Sequence, residues 1–61
     1  MYTCKDLKID DFVLIDNAVE PVLVIDIDES ADRYTYKDGF GNIEGDEDPG
    51  FITAIYRKVA A

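Results

Sequence analysis

The sequence predicts an all-β fold: a small five-stranded antiparallel barrel, left partly open, with residues 1–61 as one domain. Three observations predict it. Pro21 to Ile27 reads Pro-Val-Leu-Val-Ile-Asp-Ile, five aliphatics in seven positions with four of them β-branched, the composition that suits a pleated strand. The remaining apolar runs are short and tend to alternate, which favours strands over helices. Clusters of Asp, Gly, Asn and Pro punctuate them at turn spacing, as closely spaced strands require.

Taken in order, Thr3-Cys-Lys-Asp6 has the spacing of a weak capping box, but Leu7, Ile9, Val13 and Ile15 alternate, so an extended lead-in is expected. Asp10-Asp11 reads as a turn whose carboxylates bond nearby amides. Phe12 to Asp16 is the first strand, with Val13 and Ile15 on one face and Phe12 and Leu14 on the other, apolar on both sides. After a loop through Asn17, Pro21 opens the second strand where no ladder donor is lost. Along Val22 to Ile27 the alternation breaks at Asp26, which calls for a fully buried strand or a β-bulge at that point. Asp28 to Asp32 is a polar turn, and Arg33-Tyr-Thr-Tyr-Lys37 is the third strand. Asp38-Gly39 is a strong turn signal. Gly41 to Glu44 forms a short fourth strand with Ile43 as its core residue. Gly45 to Gly50 is acidic punctuation, with a 3₁₀ turn from Pro49 to Phe51. Ile52 to Lys58 closes the chain, with Ile52, Ile55, Tyr56 and Val59 as apolar positions.

Composition narrows the chemistry. Fourteen acidic residues stand against six basic ones, a net charge of −8. Such a surface repels a phosphate backbone and an anionic membrane, and favours encounter with basic proteins. With no histidine and Cys4 as the one cysteine, a zinc site and a disulfide are both excluded. Cys4 reads as a small hydrophobe or a bystander, with no histidine or basic cluster beside it, apart from Lys5, to make a reactive thiolate. The free thiol, the absence of a signal-peptide layout and an aliphatic run of only four residues lead us to expect a cytoplasmic protein.

Two acidic clusters are the candidates for chemistry: Asp26, Asp28, Glu29, Asp32, and Glu44, Asp46, Glu47, Asp48. A 61-residue barrel lacks the material for a carboxylate-flanked cleft, so no catalytic residue is assigned and no enzyme is expected. A calcium loop beginning at Asp26 fails at Ala31, where glycine is needed, and at Lys37, where a bidentate glutamate belongs. No metal and no cofactor are therefore expected.

Leu7-Lys-Ile-Asp-Asp-Phe-Val13 resembles the Leu-Lys-Val-Gly-Asp-x-Val pattern common in SH3-like barrels, in particular the KOW/Tudor-like small domains of bacterial and phage proteins. Asp10 stands where that pattern has its turn glycine. The resemblance continues through Val22-Leu-Val-Ile-Asp-Ile27, the Asp38-Gly39 turn and Ile52-Thr-Ala-Ile-Tyr-Arg57. It implies the barrel, and an aromatic groove beside acidic loops that takes a Pro-rich or cationic segment. Tyr34, Tyr36 and Phe40 beside Asp32 and Asp38 are the candidates for such a groove, with Asp46, Glu47 and Asp48 as further acidic contacts. The competing reading makes Tyr34 and Tyr36 core plugs with hydroxyls at the rim. Phe40, between two glycines in a turn, is the harder to bury. The function expected is a non-enzymatic acidic module that docks a basic protein surface, such as a phage- or mobile-element-encoded modulator of a host protein. The alternatives are a DNA mimic that inhibits a nucleic-acid-binding protein, and a structural homo-oligomer using Phe12, Leu14 or open strand edges.

Overall fold

A computed structural model describes residues 1–58; the expected apolar position Val59 lies outside the described residues. Five strands form one antiparallel sheet: β1 (Phe12–Ile15), β2 (Val22–Asp28), β3 (Arg33–Lys37), β4 (Ile43–Glu47) and β5 (Ile52–Tyr56). Their order across the sheet is β4-β3-β2-β1-β5. The chain thus meanders from β1 to β4, and β5 then returns to the free side of β1. The expected barrel is not closed, since β4 and β5 end the sheet on opposite sides.

β2 holds the sheet together because it is the longest strand, pairing with β1 at its start and with β3 along most of its length. Val22 and Val24 are buried on its inner face. Continued alternation would aim Asp26 into the core. The register instead slips between Val24 and Asp26: Val24 opposes Tyr36, Asp26 opposes Thr35 and Ile27 opposes Tyr34. Ile25 is the additional residue. A bulge of this kind resets the phase, so Asp26 faces solvent and Ile27 packs against the core. The break in alternation is therefore the sequence trace of the bulge.

Cys4, Leu7, Val13, Val22, Val24, Tyr34 and Ile52 make up the core, with Tyr2, Ile15, Ile27, Tyr36 and Ile55 packed around it. Two of its members come from a segment expected to be extended. Cys4–Asp6 is instead a 3₁₀ helix. Thr3 Oγ1 accepts from Lys5 N at 3.3 Å and Asp6 Oδ2 accepts from Thr3 N at 2.8 Å, so the capping box overrides the alternation. Asp32 Oδ1 then accepts from Cys4 N at 2.9 Å, fastening this turn to the β2–β3 connection and driving Cys4 and Leu7 inward. A second 3₁₀ helix, Pro49–Phe51, precedes β5 as expected, with Asp48 Oδ1 accepting from Gly50 N at 2.8 Å.

β4 departs most from expectation. It begins at Ile43 and runs through the acidic stretch to Glu47, and Ile43 is 62% exposed rather than a core residue. The pairing explains both results: Ile43 opposes Lys37 on the solvent face, while Glu47 opposes Tyr34. Three corners are turned by polar side chains at positive φ, Asp10 (77°), Asn17 (68°) and Asp32 (54°), and a fourth, Asp46 (55°), sits within β4 where its register with β3 shifts. Asp and Asn are the non-glycine residues that tolerate this region best. Among the described residues, no helix is long and apolar enough to cross a membrane.

Candidate functional site

An open concavity lies between two connections, the β1–β2 loop and the β3–β4 turn. Val19, Glu20, Pro21, Val22, Asp38, Gly39 and Phe40 line it, enclosing about 350 Å³. That is room for one or two bulky side chains. A Cβ added at Gly39 would lie 3.7 Å from Glu20 Oε2, which shows how closely the two loops approach. Val19, Pro21 and Phe40 are exposed, so the lining is apolar and two carboxylates stand beside it.

The β3–β4 turn is built around Asp38. Its Oδ1 accepts from Phe40 N at 2.8 Å and Asn42 N at 2.9 Å, and its Oδ2 accepts from Asn42 Nδ2 at 3.2 Å. Backbone bonds from Asp38 N to Asn42 O (2.9 Å) and from Gly41 N to Asp38 O (3.1 Å) complete the loop. Gly41 sits at φ 88°, where a side chain would be strained. The amide donors of Asn42 and Phe40 hold the Asp38 carboxyl below the usual carboxylate range. Phe40 stands on this fixed backbone and is 93% exposed. The turn thus presents an aromatic ring without a large ordering cost at contact.

The structure separates the other expected site residues. Asp32 and Asp38 flank opposite ends of β3, about 20 Å apart at strand rise, and the Asp32 carboxylate is engaged with Cys4 N. Tyr34 is 2% exposed, a core plug rather than a groove wall, and burial pushes its phenol well above the ordinary range. Tyr36 is half-buried, its ring centroid 6.2 Å from that of Tyr34, and burial again raises its phenol. Asp46 and Glu47 lie on β4 and Asp48 caps the second 3₁₀ helix, on the strand beside the tyrosines and away from Phe40. Of the expected set, only Phe40 and Asp38 share the concavity. Val19 and Glu20 carry no sequence signal beyond that of a loop, and Pro21 reads only as the opening of the second strand.

Charge is distributed unevenly. Residues 26–48 hold nine carboxylates and only two cations, Arg33 and Lys37, whereas the rest of the chain holds five carboxylates and four cations. Seven of the eight net negative charges therefore lie on the part formed by the distal half of β2, β3 and β4. Lys8, Arg57 and Lys58 gather at the opposite end, around Asp10 and Asp11. Among the described residues, no three acidic or thiol side chains converge as metal ligands. No protein-family model, curated protein or solved structure matches this chain.

Proposed function

We propose that the protein is a non-enzymatic binding module, acting in the cytoplasm, that docks a basic segment of a partner protein on the groove at Phe40. The observation that carries this reading is the pairing of a preorganised, exposed aromatic with a one-sided acidic field. Phe40 stands on a turn locked by Asp38, at the margin of the part of the sheet that holds seven of the eight net charges. An apolar anchor on the partner would enter between Val19, Pro21 and Phe40, and Lys or Arg residues beside it would meet Glu20 and Asp38. Aromatic contact supplies affinity, and the field supplies rate and selectivity against acidic partners. The strand order and the 3₁₀ turn before β5 support the resemblance to SH3-like barrels, and a role as a modulator of a host protein fits a module this small.

The test is a titration of isotope-labelled protein with short peptides rich in lysine and arginine, with and without a central tryptophan. The tryptophan-containing peptide is expected to shift the amides of Val19, Val22, Gly39 and Phe40, to bind more weakly as salt rises, and to lose affinity with Phe40→Ala. Shifts confined to other surfaces, or binding indifferent to Phe40→Ala, would overturn the reading.

The same asymmetry of charge favours a second reading, a DNA mimic, because the carboxylates concentrate on one part of the surface. That reading requires the acids of residues 26–48 to dominate binding, with Phe40 dispensable, so the Phe40→Ala arm separates the two.

A further inference from the structure

The two carboxylates beside the groove differ in what they have left to give a ligand. Asp38 is committed to its own turn: Oδ1 accepts from Phe40 N and Asn42 N, and Oδ2 accepts from Asn42 Nδ2. Each carboxylate oxygen offers about two acceptor positions, so Oδ1 is filled and a forked donor that needs both oxygens finds no place. Glu20 is exposed, and among the described residues no hydrogen bond or ion pair engages its carboxylate. Both of its oxygens are open. Its Oε2 lies 3.7 Å from where a Cβ on Gly39 would stand, which sets this carboxylate against the turn that carries Phe40.

An open carboxylate, an exposed aromatic ring and an apolar wall of Val19 and Pro21 share one concavity. That combination discriminates between the two basic side chains. A guanidinium is planar and weakly hydrated; it forks onto both oxygens of a carboxylate and stacks on an aromatic face. Its methylene stem covers apolar surface on the way. An ammonium is a compact, strongly hydrated point charge with no fork, and it sheds water to enter an apolar-lined site.

We infer that Glu20 is the specificity-determining residue of the groove and that it selects arginine over lysine beside the partner's apolar anchor. The guanidinium forks onto Glu20 Oε1 and Oε2 and lies flat against the Phe40 ring. Asp38 fixes the turn and adds its charge, while Glu20 supplies the directed bonds. The inference rests on the groove reading above and narrows it to one side-chain chemistry.

Two short peptides test it, each with a central tryptophan, one flanked on both sides by arginine and the other by lysine at the same positions. Titrated into the isotope-labelled full chain, the arginine peptide should bind about fivefold more tightly, the effect of an ion pair at an exposed site. Intermolecular NOEs should join the arginine δ-methylene and Nε proton to the Phe40 ring. Glu20→Gln should erase the difference between the peptides, and because Glu20 makes no bond within the fold, thermal unfolding should be unaltered. Equal affinities on the unmodified chain, a preference that survives Glu20→Gln, or arginine NOEs to other surfaces alone would each overturn the inference. In those cases the groove reading still stands where Phe40→Ala abolishes binding. Binding indifferent to Phe40→Ala would overturn both.

Discussion

Replacing Arg57 by alanine probes the one ion pair found among the described residues, and the structure predicts an asymmetric response. Asp11 is 2% exposed. Its Oδ1 accepts from Arg57 Nε at 2.9 Å, and its Oδ2 accepts from Arg57 Nη2 at 2.9 Å and from Lys8 N at 2.8 Å. Arg57 Nη2 also donates to Asp6 O at 2.9 Å, so the pair ties the end of the first 3₁₀ helix, the entry to β1 and the exit from β5. The guanidinium side chain is 47% exposed. Losing the arginine strands a carboxylate away from water, whereas neutralising the aspartate merely releases a cation into solvent. A buried charge left without its partner costs about 3–5 kcal/mol, and the lower figure suits Asp11 because Lys8 N still donates to it. A chain of this length has about 3–9 kcal/mol of stability in total, so Arg57→Ala is expected to be close to unfolding at room temperature. Asp11→Asn keeps the volume and one acceptor and should cost about 1 kcal/mol.

Urea unfolding followed by circular dichroism at neutral pH gives the comparison. The double variant should be more stable than Arg57→Ala alone, because no carboxylate is left stranded. The pH dependence has a fixed sign. Hydrogen bonding from Arg57 lowers the Asp11 carboxyl, so its contribution is fully present above the unfolded value of about 3.9 and is lost as pH falls through the lower folded value. The stability gap between the wild-type chain and Asp11→Asn should therefore narrow in acid. Arg57→Ala proving no worse than Asp11→Asn, or a gap that survives undiminished in strong acid, would refute the reasoning.

Two further outcomes are expected. Burial, reinforced by the neighbouring Asp32 carboxylate, pushes the Cys4 thiol up to about 11; alkylation at pH 8 should be slower than for a free cysteine by about two orders of magnitude or more, recovering in urea, and equal rates in buffer and urea would contradict this. Val24→Ala, at a fully buried site, should cost about 2 kcal/mol, while Ile43→Ala should stay within about 0.5 kcal/mol; similar losses in thermal unfolding would contradict the assigned faces.

Much of the sheet was legible because local signals and tertiary pairing agree. Arg33 to Lys37 and Pro49 to Phe51 announce themselves by alternation and by turn chemistry, and the bulge after Val24 is written as a phase error at Asp26. β4 was less legible because its residues resemble a turn: its strand state comes from pairing with Tyr34 and Tyr36, which composition does not encode. The first 3₁₀ helix is less legible because two weak local signals, the capping box and the alternation, compete, and a contact that adds to the first, Asp32 to Cys4 N, spans 28 residues. Asp11 does accept from the nearby Lys8 N, as a turn acid should, but its second partner, Arg57, lies 46 residues away and leaves no local trace. At the site, Phe40 was legible from its flanking glycines, whereas the facing wall at Val19 and Pro21 exists only once β1 and β2 have paired.

Six of the ten aspartates accept a backbone N–H: Asp6 from Thr3, Asp11 from Lys8, Asp28 from Ala31, Asp32 from Cys4, Asp38 from Phe40 and Asn42, and Asp48 from Gly50. Serine or asparagine could serve as acceptor at such corners without adding charge. The atoms that bend this chain are thus to a large extent the atoms that electrify its surface. Any programme that neutralises the exterior by swapping aspartate for alanine would dismantle the hinges of the sheet along with its potential. Glutamates such as Glu20 and Glu44, and an aspartate outside the corners such as Asp26, offer a way to retune the outside while leaving the scaffold's joints in place.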